Sequence, residues 1–515
     1  MTPPSRRQVL QMAGAAGVLG GLGLATTAAP ASASTTSRPG SYFVPSDQRL
    51  HLLRRATYGP TQSSYDYIKR RGLEGWLEEQ LNPASIDDSA CQSMVRDKFE
   101  WMSWSIAEVI RKVPHGETWP FMTELSMATI ARATWSKRQL FEVMVEFWNN
   151  HLYIQSPTND VWVARHDYDV NVIRKHAFGR FEDMLIASAT HPAMLIYLNN
   201  AESTGDNPNE NYGRELLELH TVGLDAEFTE REMLDSTLIM TGFTLNDDTK
   251  HYRYDSYRHF VGPVKVLNFE SPNATRNGGE QLGIDYLKYL ANHPSTARHL
   301  CRKLWLRFIS DDPDEAFVDE LAGVYLNEGT AVKPVLRHLF ASAEFLNSVG
   351  EKLRRPYDDV IGTLRLLKYR PEPGGDTSGL RSLHWMMSEI GHAPFAWPLV
   401  DGYPDDATSW LSAGSTLNRW NRHYSLAAHW AADALPQPPL RELLPARLPK
   451  TWGAMIDALA RTLVFRTLED RHKKVILDFL EVRANDPFDK RDAGATHRIA
   501  PAVALILDSP YYGVR

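Results

Sequence analysis

The run Asn209-Glu210-Asn211-Tyr212-Gly213-Arg214-Glu215-Leu216-Leu217-Glu218-Leu219-His220-Thr221-Val222-Gly223 carries the marks of a single helix. Asn207-Pro208-Asn209 supplies a start signal and Gly223 a stop, because a side-chain oxygen satisfies the first free amides and glycine accepts the left-handed turn at a helix end. At about 100° per residue, Asn211, Arg214, Glu215 and Glu218 share one face, with Leu216 and Leu219 beside it. His220 points the opposite way. Such a stripe holds a divalent ion, shares a proton, or forms an ion network in which Glu215 and Glu218 pair with Arg214 or with an arginine of a neighbouring helix such as Arg174.

The same three- and four-residue spacing spreads outward from this run. Leu50, Leu53 and Ala56, then Phe141, Val145 and Trp148, then Met184, Leu185, Leu195 and Leu198 predict a helical block over 46–243. Between Leu245 and Gly279 the composition shifts to Asp, Asn, Tyr, Gly and Pro with short runs such as Val264-Lys265-Val266-Leu267, so 244–280 is expected to be a small β-hairpin or long ordered loop. Helical periodicity returns over 281–435 and 450–515, interrupted by a loop from Pro394 to Pro404. The Pro-rich stretch Pro436 to Pro449 is a domain boundary or one more surface connection. The fold class is therefore mainly α, a large helical assembly with one small β element.

Composition agrees with a folded, water-soluble chain: 515 residues, 43% apolar and 23% charged. Ser5-Arg6-Arg7-Gln8-Val9-Leu10, the uncharged run from Met12 to Ala29 and Ala31-Ser32-Ala33 form an export signal of the twin-arginine type over 1–33. Residues 34–45 follow as a flexible linker, order is expected from about Ser46, and the mature chain is extracytoplasmic, secreted or associated with the cell envelope. No later stretch has the length to span a membrane. Net charge is −7, and losing Arg6 and Arg7 makes it −9, which argues against nucleic acid as a partner. Cys91 and Cys301 allow one disulfide or two separate buried thiols.

A second polar stripe lies on Glu142-Val143-Met144-Val145-Glu146-Phe147-Trp148-Asn149-Asn150-His151, where Glu142, Glu146 and Asn149 share a face and His151 lies on the far side with Phe147. If the two stripes met, Glu142, Glu146, Asn149, Asn211, Glu215 and Glu218 would surround a divalent metal, as in helix-bundle metal proteins. Glu215, Glu218 and Arg214 are the candidate catalytic residues, the carboxylates as ligands or general acid and base and the arginine for an anionic substrate group. His151, His191, His220 and His259 are further candidates, beside His176 and His293. His191-Pro192 and His293-Pro294 have the form of helix-start corners with a capping imidazole. There is no Gly-x-Ser-x-Gly and no phosphate-binding loop, which removes the commonest serine hydrolase and nucleotide-binding readings.

The order of His51-Leu52-Leu53-Arg54-Arg55-Ala56-Thr57-Tyr58-Gly59, Phe147-Trp148-Asn149-Asn150-His151, His191-Pro192-Ala193-Met194-Leu195-Ile196-Tyr197-Leu198-Asn199-Asn200 and the Asn209–Gly223 run resembles the bacterial family known as domain of unknown function 1800. Later motifs that match are His293-Pro294, Lys352-Leu353-Arg354-Arg355-Pro356 and Leu507-Asp508-Ser509-Pro510-Tyr511-Tyr512. The resemblance implies export and, through frequent gene neighbourhood, a partner from an exported sulfatase-like family; it carries no established activity. Where the family has His-Asp before a glycine, this chain has His259-Phe260-Val261-Gly262, which weakens His259 as a functional residue. Together these readings lead to a metal- or carboxylate-dependent enzyme, a hydrolase rather than an oxidoreductase, acting on an extracytoplasmic polymer or glycan. The alternative is a non-catalytic binding or maturation partner of the sulfatase-like protein.

Overall fold

Asp47 starts the first helix of the described residues, Gln48–Ala56, by accepting the Arg49 amide through its side chain. The computed structural model describes residues 42–158, 160–489 and 493–515. The expected export signal over 1–33 lies outside the described residues, and the linker expected over 34–45 is described only from Tyr42. Helices dominate, as the spacing of apolar residues predicts. Among the described residues none is long and apolar enough to cross a membrane.

The predicted β element is two short antiparallel hairpins. β1 (Phe243–Leu245) pairs with β2 (Tyr252–Tyr254), and β3 (Val264–Val266) pairs with β4 (Phe269–Ser271). Val264 and Val266 point inward and Lys265 outward, the two-residue alternation of a half-buried strand. His259 sits between the hairpins as a clamp: Nδ1 lies 2.8 Å from the Thr241 carbonyl and Nε2 3.0 Å from Asn273 Oδ1. It is buried and occupied on both sides.

One apolar core runs through the whole described chain, from Leu52 to Tyr512. Cys91 and Cys301 are separate buried thiols within it, and burial pushes the Cys91 thiol up to about 12. The Pro436 to Pro449 stretch is tied to the body, with the Arg370 amide donating to the Pro436 carbonyl and Lys368 to that of Glu442.

The Asn209 to Gly223 run starts as its cap predicts, with the Asn209 side chain accepting the Asn211 amide. It is α-helical only over Glu210–Glu215; Leu216–His220 winds as a π-helix. A wider turn breaks the 100° step, so the faces deduced for Glu218 and His220 shift relative to Glu215. Gly213 lets this helix press on the Glu230–Ile239 helix: a Cβ there would stand 2.3 Å from Thr237 Oγ1 and 2.7 Å from its backbone.

Candidate functional site

The Gln139–His151 helix is the axis of the candidate site, and two π-helical segments make contact with it. Asp169–Arg174 winds as one π-helix and Leu216–His220 as the other. Such segments are uncommon in globular proteins and concentrate at functional positions. From the first, Arg174 binds Glu142 at 2.5 Å and Asp169 accepts the Asn149 amide at 3.1 Å. The second offers the His220 carbonyl to His151 Nε2 at 3.0 Å.

The predicted polar stripe of this helix is fully occupied by protein groups. Glu146 lies 2.9 Å from Arg355 and 3.4 Å from Arg307, and it accepts Asn150 Nδ2. Asn149 Oδ1 accepts Arg165 Nη2 at 2.9 Å, and the Arg165 guanidinium lies 4.3 Å over the Phe395 ring. The arginine named for Glu215 or Glu218 thus pairs with Glu142 instead. Arg214 binds Glu218 at 3.3 Å, as its spacing predicts, and also Glu230 at 3.1 Å. Asn211 reaches Asn199 at 3.4 Å on the surface. Glu215 is buried, and it adds to the effect of burial in pushing the Tyr197 phenol up to about 12.

The two candidate segments meet through their histidines. His151, His220, His299 and Lys303 gather between the end of the Gln139–His151 helix, the Leu216–His220 turn and the Pro294–Phe308 helix. Lys303 Nζ lies 3.1 Å from His151 Nδ1, and the His151 and His299 rings are 6.0 Å apart. Burial, reinforced by Lys303, lowers His220 and His299 to about 3, so both are neutral. Burial also lowers Lys303 to about 8, against the opposing pull of Asp405 and Asp401. Among the described residues no group of three or more His, Cys, Asp or Glu side chains is arranged to hold a metal ion.

Behind Glu146 lies a buried charge network. Asp358 has Arg307 at 3.2 Å, Arg355 at 3.1 Å and Arg515 at 3.2 Å, and Asp405 lies 2.9 Å from Arg355. Lys352 joins through Asp311 and the Asp405 carbonyl. Burial works against the Asp358 carboxylate, yet the three guanidinium groups hold it well below the usual range. The Pro394 to Pro404 loop closes over this region. Gly402 has φ +74°, and a Cβ there would stand 2.3 Å from the Asn150 carbonyl, so the loop can reach the helix end only with glycine.

His191 and His293 serve as the helix caps their prolines suggest. His191 Nδ1 accepts the Ala193 amide while Nε2 binds Asp167 at 2.9 Å; His293 Nδ1 accepts the Ser295 amide. Sequence reasoning passed over Lys303, Arg307, Arg165, Asp169 and Asp405. It also passed over a cleft of about 620 Å³ at the opposite end of the Gln139–His151 helix. Tyr67, Glu79, Asp87, Trp135, Lys137 and Arg365 line it, with Gln139 and several hydroxyl groups. Trp135 is fixed there by donating to the Tyr369 carbonyl at 2.8 Å, and Tyr67 by donating to Glu79 at 2.7 Å. The Nε of Arg365 is buried without a partner.

The chain belongs to the family described as Protein of unknown function (DUF1800), whose model matches residues 51–514. No curated protein and no solved structure matches it.

Proposed function

We propose that this member of the family is exported by the twin-arginine route and acts outside the cytoplasm as a carboxylate-dependent hydrolase of a glycan. The cleft between Tyr67 and Trp135 carries this reading. Its volume suits a small ligand, and it combines aromatic faces with hydroxyl, amide, carboxylate and guanidinium groups, the mixture that recognises polyhydroxylated rings. Glu79 and Asp87 are its carboxylates; Ser89 donates twice to Asp87 and holds it below the usual range, which suits the ionised partner of an acid–base pair. The carboxylates of the two predicted stripes are engaged by arginines or remote from this cleft, so they serve the scaffold here.

Titration calorimetry and product analysis with soluble oligosaccharides test the reading. Trp135→Ala weakens binding by about tenfold or more, the loss of one stacked face. Glu79→Gln and Asp87→Asn retain binding and lose about 10²-fold or more in hydrolysis. If Trp135→Ala binds every oligosaccharide as the wild type does, the cleft is not the glycan site. Binding without hydrolysis in the wild type leaves a lectin.

A second reading, a docking partner for the exported sulfatase-like protein, is favoured by one surface. Leu417, Trp420 and Tyr424 follow one face of the Ala413–Ala427 helix; Leu417 and Trp420 are 57% and 45% exposed. Trp430, 68% exposed, packs edge-on against Tyr424 at 5.0 Å. Such a patch marks an interaction face. Co-purification from the native host recovers the sulfatase-like protein with the wild type and loses it with Leu417→Ser/Trp420→Ser; equal recovery with both removes the reading.

A further inference from the structure

We propose that the cleft between Tyr67 and Trp135 takes an acidic glycan, with the carboxylate of a uronic acid seated on Arg365. This choice of sugar class rests on the reading of the cleft as a glycan site. Arg365 is half-buried and lines the cleft. Its Nη1 donates to the Thr134 carbonyl at 3.0 Å, the only hydrogen bond of this side chain among the described residues, and its Nε is buried with no partner. The edge formed by Nε and Nη2 is therefore unoccupied by protein groups. Two parallel N–H groups on one edge of a guanidinium match the two oxygens of a carboxylate.

The charge of Arg365 is also unanswered. Among the described residues no carboxylate pairs with it or acts on it through space. Arg307 and Arg355, by contrast, share Asp358. A guanidinium drawn out of water with no counter-charge is unfavourable until an anion reaches it. The carboxylates of the cleft are engaged elsewhere: Glu79 accepts the Tyr67 hydroxyl at 2.7 Å, and Asp87 is held by Ser89 and has Lys137 acting on its charge. Arg365 is thus the cation of this cleft left for a ligand.

Its position selects the sugar. Thr134, which holds Nη1, directly precedes Trp135, whose indole donates to the Tyr369 carbonyl, and both residues close the Thr118–Trp135 helix. The aromatic face and the guanidinium are therefore fixed to neighbouring residues of one helix end. A uronic acid carries its carboxyl on a carbon of the pyranose ring itself, so a ring stacked on Trp135 holds its acid close to that face. An acid on a long flexible arm has no need of such adjacency.

Titration calorimetry on the full chain compares the trisaccharides of galacturonic, glucuronic, mannuronic and guluronic acid, each beside its fully methyl-esterified form. Esterification removes the charge and keeps the ring. At least one acid is expected to bind the wild type about tenfold or more tightly than its ester, the scale of a two-pronged charged hydrogen bond. Arg365→Met, which keeps an unbranched apolar stem and removes the guanidinium, is expected to bring that acid down to the affinity of its ester. Wild-type protein that binds every ester as tightly as its acid, or that binds neutral oligosaccharides and none of the four acids, overturns the acidic-glycan assignment and leaves the glycan site standing, whether or not the variant folds. A preference for the acid kept in Arg365→Met of unchanged thermal transition overturns the role of Arg365. Absence of binding by any sugar, charged or neutral, removes the glycan reading and this assignment together.

Discussion

Asp358→Asn will lower the unfolding free energy by about 3–5 kcal/mol, the cost of removing one partner from a fully buried charge group. Asp358 has no exposed surface, and Arg307, Arg355 and Arg515 all lie within 3.2 Å of its carboxylate. Asparagine keeps the shape and removes the charge, so three nearly buried guanidinium groups then face one another with only Glu146 and Asp405 to balance them. Glu218→Gln is the control, since its partner Arg214 is partly exposed and retains Glu230 and Glu210. That change will cost less than about 1 kcal/mol. Parallel denaturant titrations decide the matter. A loss below about 1 kcal/mol for Asp358→Asn would mean that packing alone, and not this network, holds the Pro356–Leu366 helix against the Pro294–Phe308 helix.

The contrast between those two residues shows what the sequence could and could not deliver. Helical class was legible because burial follows the three- and four-residue spacing almost everywhere, as at Leu50 and Leu53 or Val145 and Trp148. Local pairs were legible too: Arg214 with Glu218 follows from spacing alone. Glu142 and Glu146 were singled out as one polar face, yet their partners come from residues 174, 307 and 355, and no local rule ranks one distant arginine over another. The π-helical turns defeated the angular argument, because a wheel drawn at 100° assumes the winding it is meant to test. One signal was available and unused. Arg355-Pro356-Tyr357-Asp358 places an arginine just before a helix-starting proline and an aspartate in the first turn, three residues away, which is the spacing of an ion pair. Lys303 offered no such sign, since a lone lysine four residues after a histidine on a helix is ordinarily a solvated one.

The second large effect is a loss of stability between about pH 6.5 and 9, arising at His423. Its Nε2 lies 2.7 Å from Asp359 and its Nδ1 2.8 Å from Asp508, so both ring nitrogens donate and the imidazolium is the form that fits. Burial would lower its pKa, but the two carboxylates overcome that and raise it to about 9. A group whose folded pKa exceeds its unfolded value of 6.5 contributes fully below the unfolded value and loses that contribution as pH rises through the folded one. The shift corresponds to about 3 kcal/mol, reduced somewhat because Asp508 is partly exposed. This geometry also gives a physical reason for the terminal motif: Asp508 holds the imidazolium, while Tyr512 Oη donates to the Asp359 carbonyl at 2.9 Å and ties the end of the chain to the same helix. Denaturant unfolding followed from about pH 6 to 9.5 will show a steady decline in the wild type and a nearly flat profile in His423→Gln, which is already less stable at pH 6. Parallel profiles for the two proteins would place the titrating group elsewhere and leave the His423 contacts as neutral hydrogen bonds.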